Sequence, residues 1–217
     1  YYIGFSILGY YVQRLLYGTK YIRIINYHDT PEQTQLNFEK QVKIFEKYYC
    51  SVSEKELDNF LNCNAWNKPK PGLIISFDDG VRTNFEYARP ILEKYNFTGW
   101  FFVPTGFIEC SVNDQHQYAI DNRILIEHQF NKFERLAMSW DEVKELSENE
   151  HVIGSHTSSH CRMFNEIDRV KLAYEIVNSF DETKLADIFF QFGEEKHSRK
   201  IAKNIIKNRT IKPIDNT

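Results

Sequence analysis

Residues 72–80 read GLIISFDDG, an apolar run that stops on two adjacent acids. Leu73, Ile74 and Ile75, continued by Phe77, suit a strand covered on both faces, so Asp78 and Asp79 fall where that strand leaves the core. Neighbouring carboxylates repel one another. One account of them is a plain turn, because Asp accepts local backbone hydrogen bonds and Gly80 tolerates positive φ. The other is a site that needs two acids, and the choice rests on the rest of the chain.

Upstream, YIRIINYH (21–28) reads as a strand ending in His28 and Asp29, with Pro31 as a turn residue. NFEKQVKIFEKYY (37–49) places Phe38, Val42, Phe45 and Tyr49 on one helical stripe. Ser53 and Glu56 then stand at capping-box spacing ahead of a short helix, and NAWNKPKPG is a loop. Downstream, TNFEYARPILEKYN (83–96) is a helix bent or restarted at Pro90, and GWFFVPTGFI (99–108) is a third strand ended by Pro104. Residues 109–135 read as a long loop or insertion with some helix. Ser139 and Glu142 repeat the capping-box spacing at the start of a helix over 139–149, and HVIGSH (151–156) is a fourth strand. Alternating strands and helices of this kind make parallel βαβ units. Parallel sheets carry function at the carboxyl ends of their strands. Here those ends hold His28 with Asp29, Asp78 with Asp79, and His156.

The bulk numbers suit a folded α/β domain. The 217 residues are 42% hydrophobic and 26% charged, with 17 Phe and 13 Tyr for packing, so most of the chain is expected to be ordered. A formal net charge of −3 gives no global electrostatic case for nucleic acid, and none is expected for the main domain; no obligate protein partner is inferred. Cys50, Cys63, Cys110 and Cys161 are far apart and contain no CxxC, which argues against a thiolate zinc site, a redox motif or a disulfide framework. The opening run, apolar to Val12 and broken by Gln13 and Arg14, has three readings over residues 1–20: a signal-anchor remnant, an interfacial helix, or a packing helix.

The fourth strand runs into GSHTSSH, which sets His156 and His160 four residues apart. If the chain turns helically there, both imidazoles face one way and can share a metal; otherwise the pair is polar surface at a helix start. One acid with two histidines is a hydrolytic zinc arrangement that leaves room for water and substrate, and a second acid beside it suits a general base. Several divalent ions fit such a donor set, zinc, cobalt and nickel among them.

The stretches ISFDDG and SHTSSH, with NYHD before them and FFVPTGFI between them, resemble the polysaccharide deacetylase family, also called carbohydrate esterase family 4, over about residues 21–179. The resemblance implies a partial, distorted (β/α) barrel that removes acetyl groups from N-acetylated glycans with a divalent metal. By it, Asp78 is the general base and Asp79, His156 and His160 are the metal ligands. His28 at its strand end either contacts substrate or merely closes the strand, and Pro104 and Thr105 are candidates to line the substrate pocket through backbone groups. A cell-envelope or extracellular setting is also implied, with association to a membrane through residues 1–17 as one option. The family's later arginine and Leu-x-His motifs find no match, which leads us to expect impaired turnover, or a non-catalytic glycan-binding remnant.

Residues 185–217 (LADIFFQFGEEKHSRKIAKNIIKNRTIKPIDNT) instead resemble a segment of the small-subunit ribosomal RNA cytosine-N4 methyltransferase family. The glycine-rich loop that would bind S-adenosylmethionine is absent from the sequence. A composite chain is therefore expected, with a seam near 178–185 and a helical segment over 181–217. Lys196, Arg199, Lys200, Lys203 and Lys207 would be RNA contacts on one reading; on the other they are the solvated face of an amphipathic helix that buries Ile201, Ile205 and Ile206.

Overall fold

The computed structural model describes residues 7–127, 134–161, 168–193 and 195–215. Five strands form one parallel sheet: β1 (Ile22–Tyr27), β2 (Cys50–Ser51), β3 (Gly72–Phe77), β4 (Gly99–Val103) and β5 (Val152–Ser155). Its order is β1-β3-β4-β5, with the two-residue β2 beside the start of β3. Among the described residues β1 and β5 are not joined to each other, so the sheet is a partial (β/α) barrel. The helices before the last strand are α1 (Ile7–Tyr17), α2 (Gln35–Tyr48), α3 (Glu54–Cys63), α4 (Arg89–Lys94), α5 (Thr105–Glu109), α6 (Gln115–Asn122) and α7 (Trp140–Glu148). After it come α8 (Arg169–Ser179), α9 (Glu182–Gln191) and α10 (Ser198–Arg209).

All of β3 is buried, because its two faces are both covered. Leu73, Ile75 and Phe77 join Phe38, Val42 and Phe45 of α2 and Phe101 of β4, while Ile74 packs on the opposite side with Val52, Trp66 and Trp100. The Phe77 and Phe101 rings stack at 4.9 Å. Registers Tyr27 to Phe77 and Phe77 to Phe101 put the carboxyl ends of β1, β3 and β4 at one edge, and Val103 to Ser155 brings β5 to the same edge. Both capping boxes form: Ser53 with Glu56 opens α3, and Ser139 with Glu142 opens α7.

Two expectations need correction. The strand at 99–108 stops at Val103; Pro104 ends it, and Thr105–Glu109 turns helical, since the fixed proline φ of −75° suits a helix entry. The helix expected over 83–96 begins as a π-type turn, Asn84–Ala88, in which the Arg89 N–H reaches the Asn84 carbonyl. Pro90 has no N–H to give the Glu86 carbonyl, and the turn ahead of it widens before α4 continues. Residues 128–133, part of the stretch expected to be irregular, lie outside the described residues; the rest of that stretch contains α6.

Helix α1 packs through Tyr10, whose ring meets Tyr48 and Tyr49 edge-on at 4.9 and 5.6 Å, while Leu15 and Leu16 are exposed. No described helix is long and apolar enough to cross a membrane, and residues 1–6 of the opening run lie outside the description. At the other end Leu185, Ala186 and Ala202 make a small core with Ile176 and Phe180 of the α8 region and with Ile205 and Ile206. The α8–α9 junction, where the seam was expected, is thus spanned by shared packing, and Asn178 exchanges two hydrogen bonds with Ile214, at 2.8 and 3.0 Å. Glu194, Asn216 and Thr217 of the methyltransferase-like segment are outside the described residues.

His151 gives the fold a pH dependence. It is buried at the start of β5, and its Nδ1 accepts the Gly99 N–H at 2.8 Å, so the neutral ring carries its proton on Nε2, 3.7 Å from Glu93. Burial pushes its pKa below the ordinary 6.5, opposed in part by Glu93. The unfolded chain therefore binds the proton first: this contribution to stability is complete above pH 6.5 and is lost as pH falls below it. His151→Asn, whose Oδ1 can still accept from Gly99, should show a shallower loss of melting temperature than wild type between about pH 7.5 and 5. Parallel profiles for the two proteins would contradict this.

Candidate metal centre

Asp78 and Asp79 do occupy the exit of β3, and they diverge there. The Asp78 N–H continues the ladder to the Tyr27 carbonyl at 2.9 Å. Asp79 and Gly80 then both take positive φ, 73° and 63°, so the chain leaves the sheet sharply and the Asp79 carboxylate turns inward, 1% exposed. Glycine enters this region freely, whereas an aspartate does so at a cost. The Leu125 N–H donates to Asp79 Oδ2 at 3.3 Å and helps hold it.

The GSHTSSH segment does not turn helically. His156 continues β5 through its N–H to the Val103 carbonyl, and the chain then runs as a bent loop in which Thr157 and His160 have φ of 64° and 54°. Buried contacts impose that path. Glu175 of α8, 1% exposed, accepts the N–H groups of Ser158 and Ser159 at 2.6 and 3.0 Å and also the Ser159 hydroxyl. The Ser158 carbonyl accepts from Gly106 N–H at 2.9 Å and from the Tyr118 hydroxyl at 3.0 Å. The loop brings the two imidazoles together by this route, with ring centroids 4.9 Å apart.

Asp79, His156 and His160 converge, one ligand atom from each lying within 4.8 Å of the others. His160 Nε2 is 3.2 Å and His156 Nε2 3.6 Å from Asp79 Oδ1. Neither contact is a hydrogen bond, so Oδ1 is a buried carboxylate oxygen with no donor. His160 donates from Nδ1 to the Asn122 carbonyl at 2.7 Å, which leaves the Nε2 lone pair facing the acid. Burial lowers the His156 pKa, against the pull of Asp78, and favours the neutral ring. An orphaned, buried carboxylate oxygen with two imidazole Nε2 atoms beside it is a donor set that a divalent cation satisfies.

Asp78 lies beside this group with a partner of its own. Asn26, opposite Ser76 in the β1–β3 register, donates its amide to Asp78 Oδ2 at 2.8 Å and accepts the Ser76 hydroxyl at 3.0 Å. That fixes Asp78 through one oxygen and leaves Oδ1 for other chemistry. His28 is exposed at the end of β1, its backbone held by Asn84, whose amide donates to the His28 carbonyl at 2.8 Å. Beneath it Asp29 is buried, accepting from Thr83 and from the Glu127 N–H. Pro104 is buried against Gly80, and the Thr105 N–H donates to the Thr157 carbonyl at 3.3 Å. The reading from sequence missed Glu175, Asn26 and Asn122. Glu175 gave one signal: an acid set on the helical stripe of Leu172, Ile176 and Ser179.

A family model described as polysaccharide deacetylase matches residues 66–204, a span that runs across the expected seam. Among solved structures, the Streptococcus pyogenes deacetylase PplD in complex with acetate covers 85% of this chain and 78% of its own, with a TM-score of 0.51 and 17% identity, which speaks to the fold. The chain is also similar to the ribosomal RNA small subunit methyltransferase H of Coprothermobacter proteolyticus, 49% identical over 51 residues, 24% of this chain and 17% of that protein. The Fusobacterium nucleatum protein of the same name is 49% identical over 147 residues, 67% of this chain and 43% of that one. This chain thus spans less than half the length of either. On α10 and just before it, Lys196, Arg199, Lys200, Lys203 and Lys207 are all exposed.

Proposed function

This chain belongs to the polysaccharide deacetylase family, and we propose that it hydrolyses the N-acetyl amide of a glycan with a divalent metal, zinc in the first instance, held by Asp79, His156 and His160. The observation that carries the reading is the buried, donor-free Oδ1 of Asp79 between the two imidazoles. Bound there, a divalent metal supplies Lewis-acid polarisation of a carbonyl and a more acidic water. Asp78 acts as the base: Asn26 holds its Oδ2, and Oδ1 takes the proton. The Nδ1–H of His160, donated to the Asn122 carbonyl, keeps that ring oriented, and Glu175 holds the loop that carries both histidines. His28 at the rim, with Pro104 and Thr105 across the strand ends, is proposed to meet the substrate.

Turnover is proposed to be slow. The sequence matches no residue to protonate the departing amine, and acid–base assistance supplies about 10²–10⁴-fold. Acetate release from a chito-oligosaccharide should be weak, should disappear in chelator, and should return on adding zinc, cobalt or nickel. Release that is indifferent to chelator would contradict the metal reading, and release at the rate of a fully assisted hydrolase would contradict the slow one.

A further inference from the structure

A cleft of about 570 Å³ opens on the far side of the histidine loop, within the size range of small-molecule sites. Asp78, Asp79, His156 and His160 do not line it. Ser158, midway between the histidines, does, so one loop separates the metal ligands from this second space. Its walls come from α5, α6, the first turn of α7, α8 and the end of α10, which means that both the deacetylase-like and the C-terminal parts of the chain build it.

The lining is chemically mixed in a particular way. Trp140, Tyr118 and Tyr174 supply aromatic surface, and Trp140 is 47% exposed. Tyr118 is immobilised, stacked on Phe107 at 5.6 Å and bonded through its hydroxyl to the Ser158 carbonyl. Arg209 is half-buried, and among the described residues its hydrogen bond goes to the Val177 carbonyl at 2.7 Å, which leaves most of its donors uncommitted. Burial, opposed in part by Asp181, holds its guanidinium below the ordinary pKa. Glu109, exposed on the same cleft, contributes acceptors. A purely anionic ligand is opposed by Glu109 and a cationic one by Arg209. A ring with apolar C–H faces and hydroxyls that both donate and accept satisfies all of these groups at once.

We propose that this cleft is a second saccharide site, which binds a neutral pyranose unit of a glycan chain apart from the unit at the metal centre. It borrows the glycan class from the proposed function but does not depend on turnover. The test is calorimetric titration of the full chain, stripped with chelator so that no hydrolysis occurs, with the tetramer of β-1,4-linked N-acetylglucosamine. Saturable binding is expected, weakened about three- to tenfold by Trp140→Ala and by Glu109→Gln, both at exposed positions, and unchanged by His156→Ala. Binding lost in His156→Ala and intact in the two cleft variants would overturn the second site and leave the glycan reading standing. Absence of binding in a chain that releases acetate would do the same. Absence of both would overturn the two together.

Discussion

Acetate release is expected to fall by about 10²-fold or more, to background, in Asp78→Asn, with metal binding retained. Asparagine is isosteric, and its side-chain oxygen can still accept the Asn26 amide, so the arrangement around β1 and β3 has no reason to change. What it loses is the oxygen proposed to take a proton. Asp79→Asn is the matched control, because that position is proposed to supply the buried ligand oxygen: here metal binding itself should be lost. Rates and metal affinities measured side by side decide the matter. If Asp78→Asn released the metal while retaining turnover per metal bound, the two acids would have been assigned the wrong way round.

The second large effect is expected at Glu175, which touches no reacting atom. Its buried carboxylate accepts two backbone N–H groups and a hydroxyl from the partly buried loop between the histidines. Hydrogen bonds to a charged group contribute about 1.5–3 kcal/mol each, so Glu175→Ala should destabilise the protein by several kcal/mol, roughly 10 °C in melting temperature for a chain of this size. It should also weaken metal binding about 10–100-fold, since the loop loses the support for its two left-handed residues, Thr157 and His160. Glu175→Gln should give a smaller effect in the same direction, because one amide oxygen replaces one of the two acceptors. Thermal melts and metal titrations on both variants separate the alternatives: a lower melting temperature with unchanged metal affinity would make Glu175 a residue of the fold alone.

These two predictions mark what the sequence does and does not carry. The strand before Asp78 is legible because a continuous apolar run covered on both faces needs no distant partner to be recognised. The same holds for the α2 stripe of Phe38, Val42 and Phe45 and for both capping boxes, which are local patterns. His156 and His160 are brought together as their spacing suggested, yet by a bent loop rather than a helical turn. The reason lies 15 to 19 residues downstream in Glu175, and in Gly106 and Tyr118 on other elements. The Asn26 contact to Asp78 follows from the β1–β3 register, and the sequence of either strand alone does not state that register. Similarly the α5 helix hides inside FFVPTGFI because its apolar residues, Phe107 and Ile108, face a core that only the folded chain defines.

The central claim is that Asp79, His156 and His160 form one divalent-metal site with Asp78 beside it. Its most direct test is a titration of chelator-stripped protein with Zn²⁺, read as stoichiometry and affinity. One equivalent should bind tightly to the wild type and to Asp78→Asn, and affinity should collapse in Asp79→Asn, His156→Ala and His160→Ala. A wild-type protein that takes up no metal, or three ligand variants that bind it as the wild type does, would contradict the account.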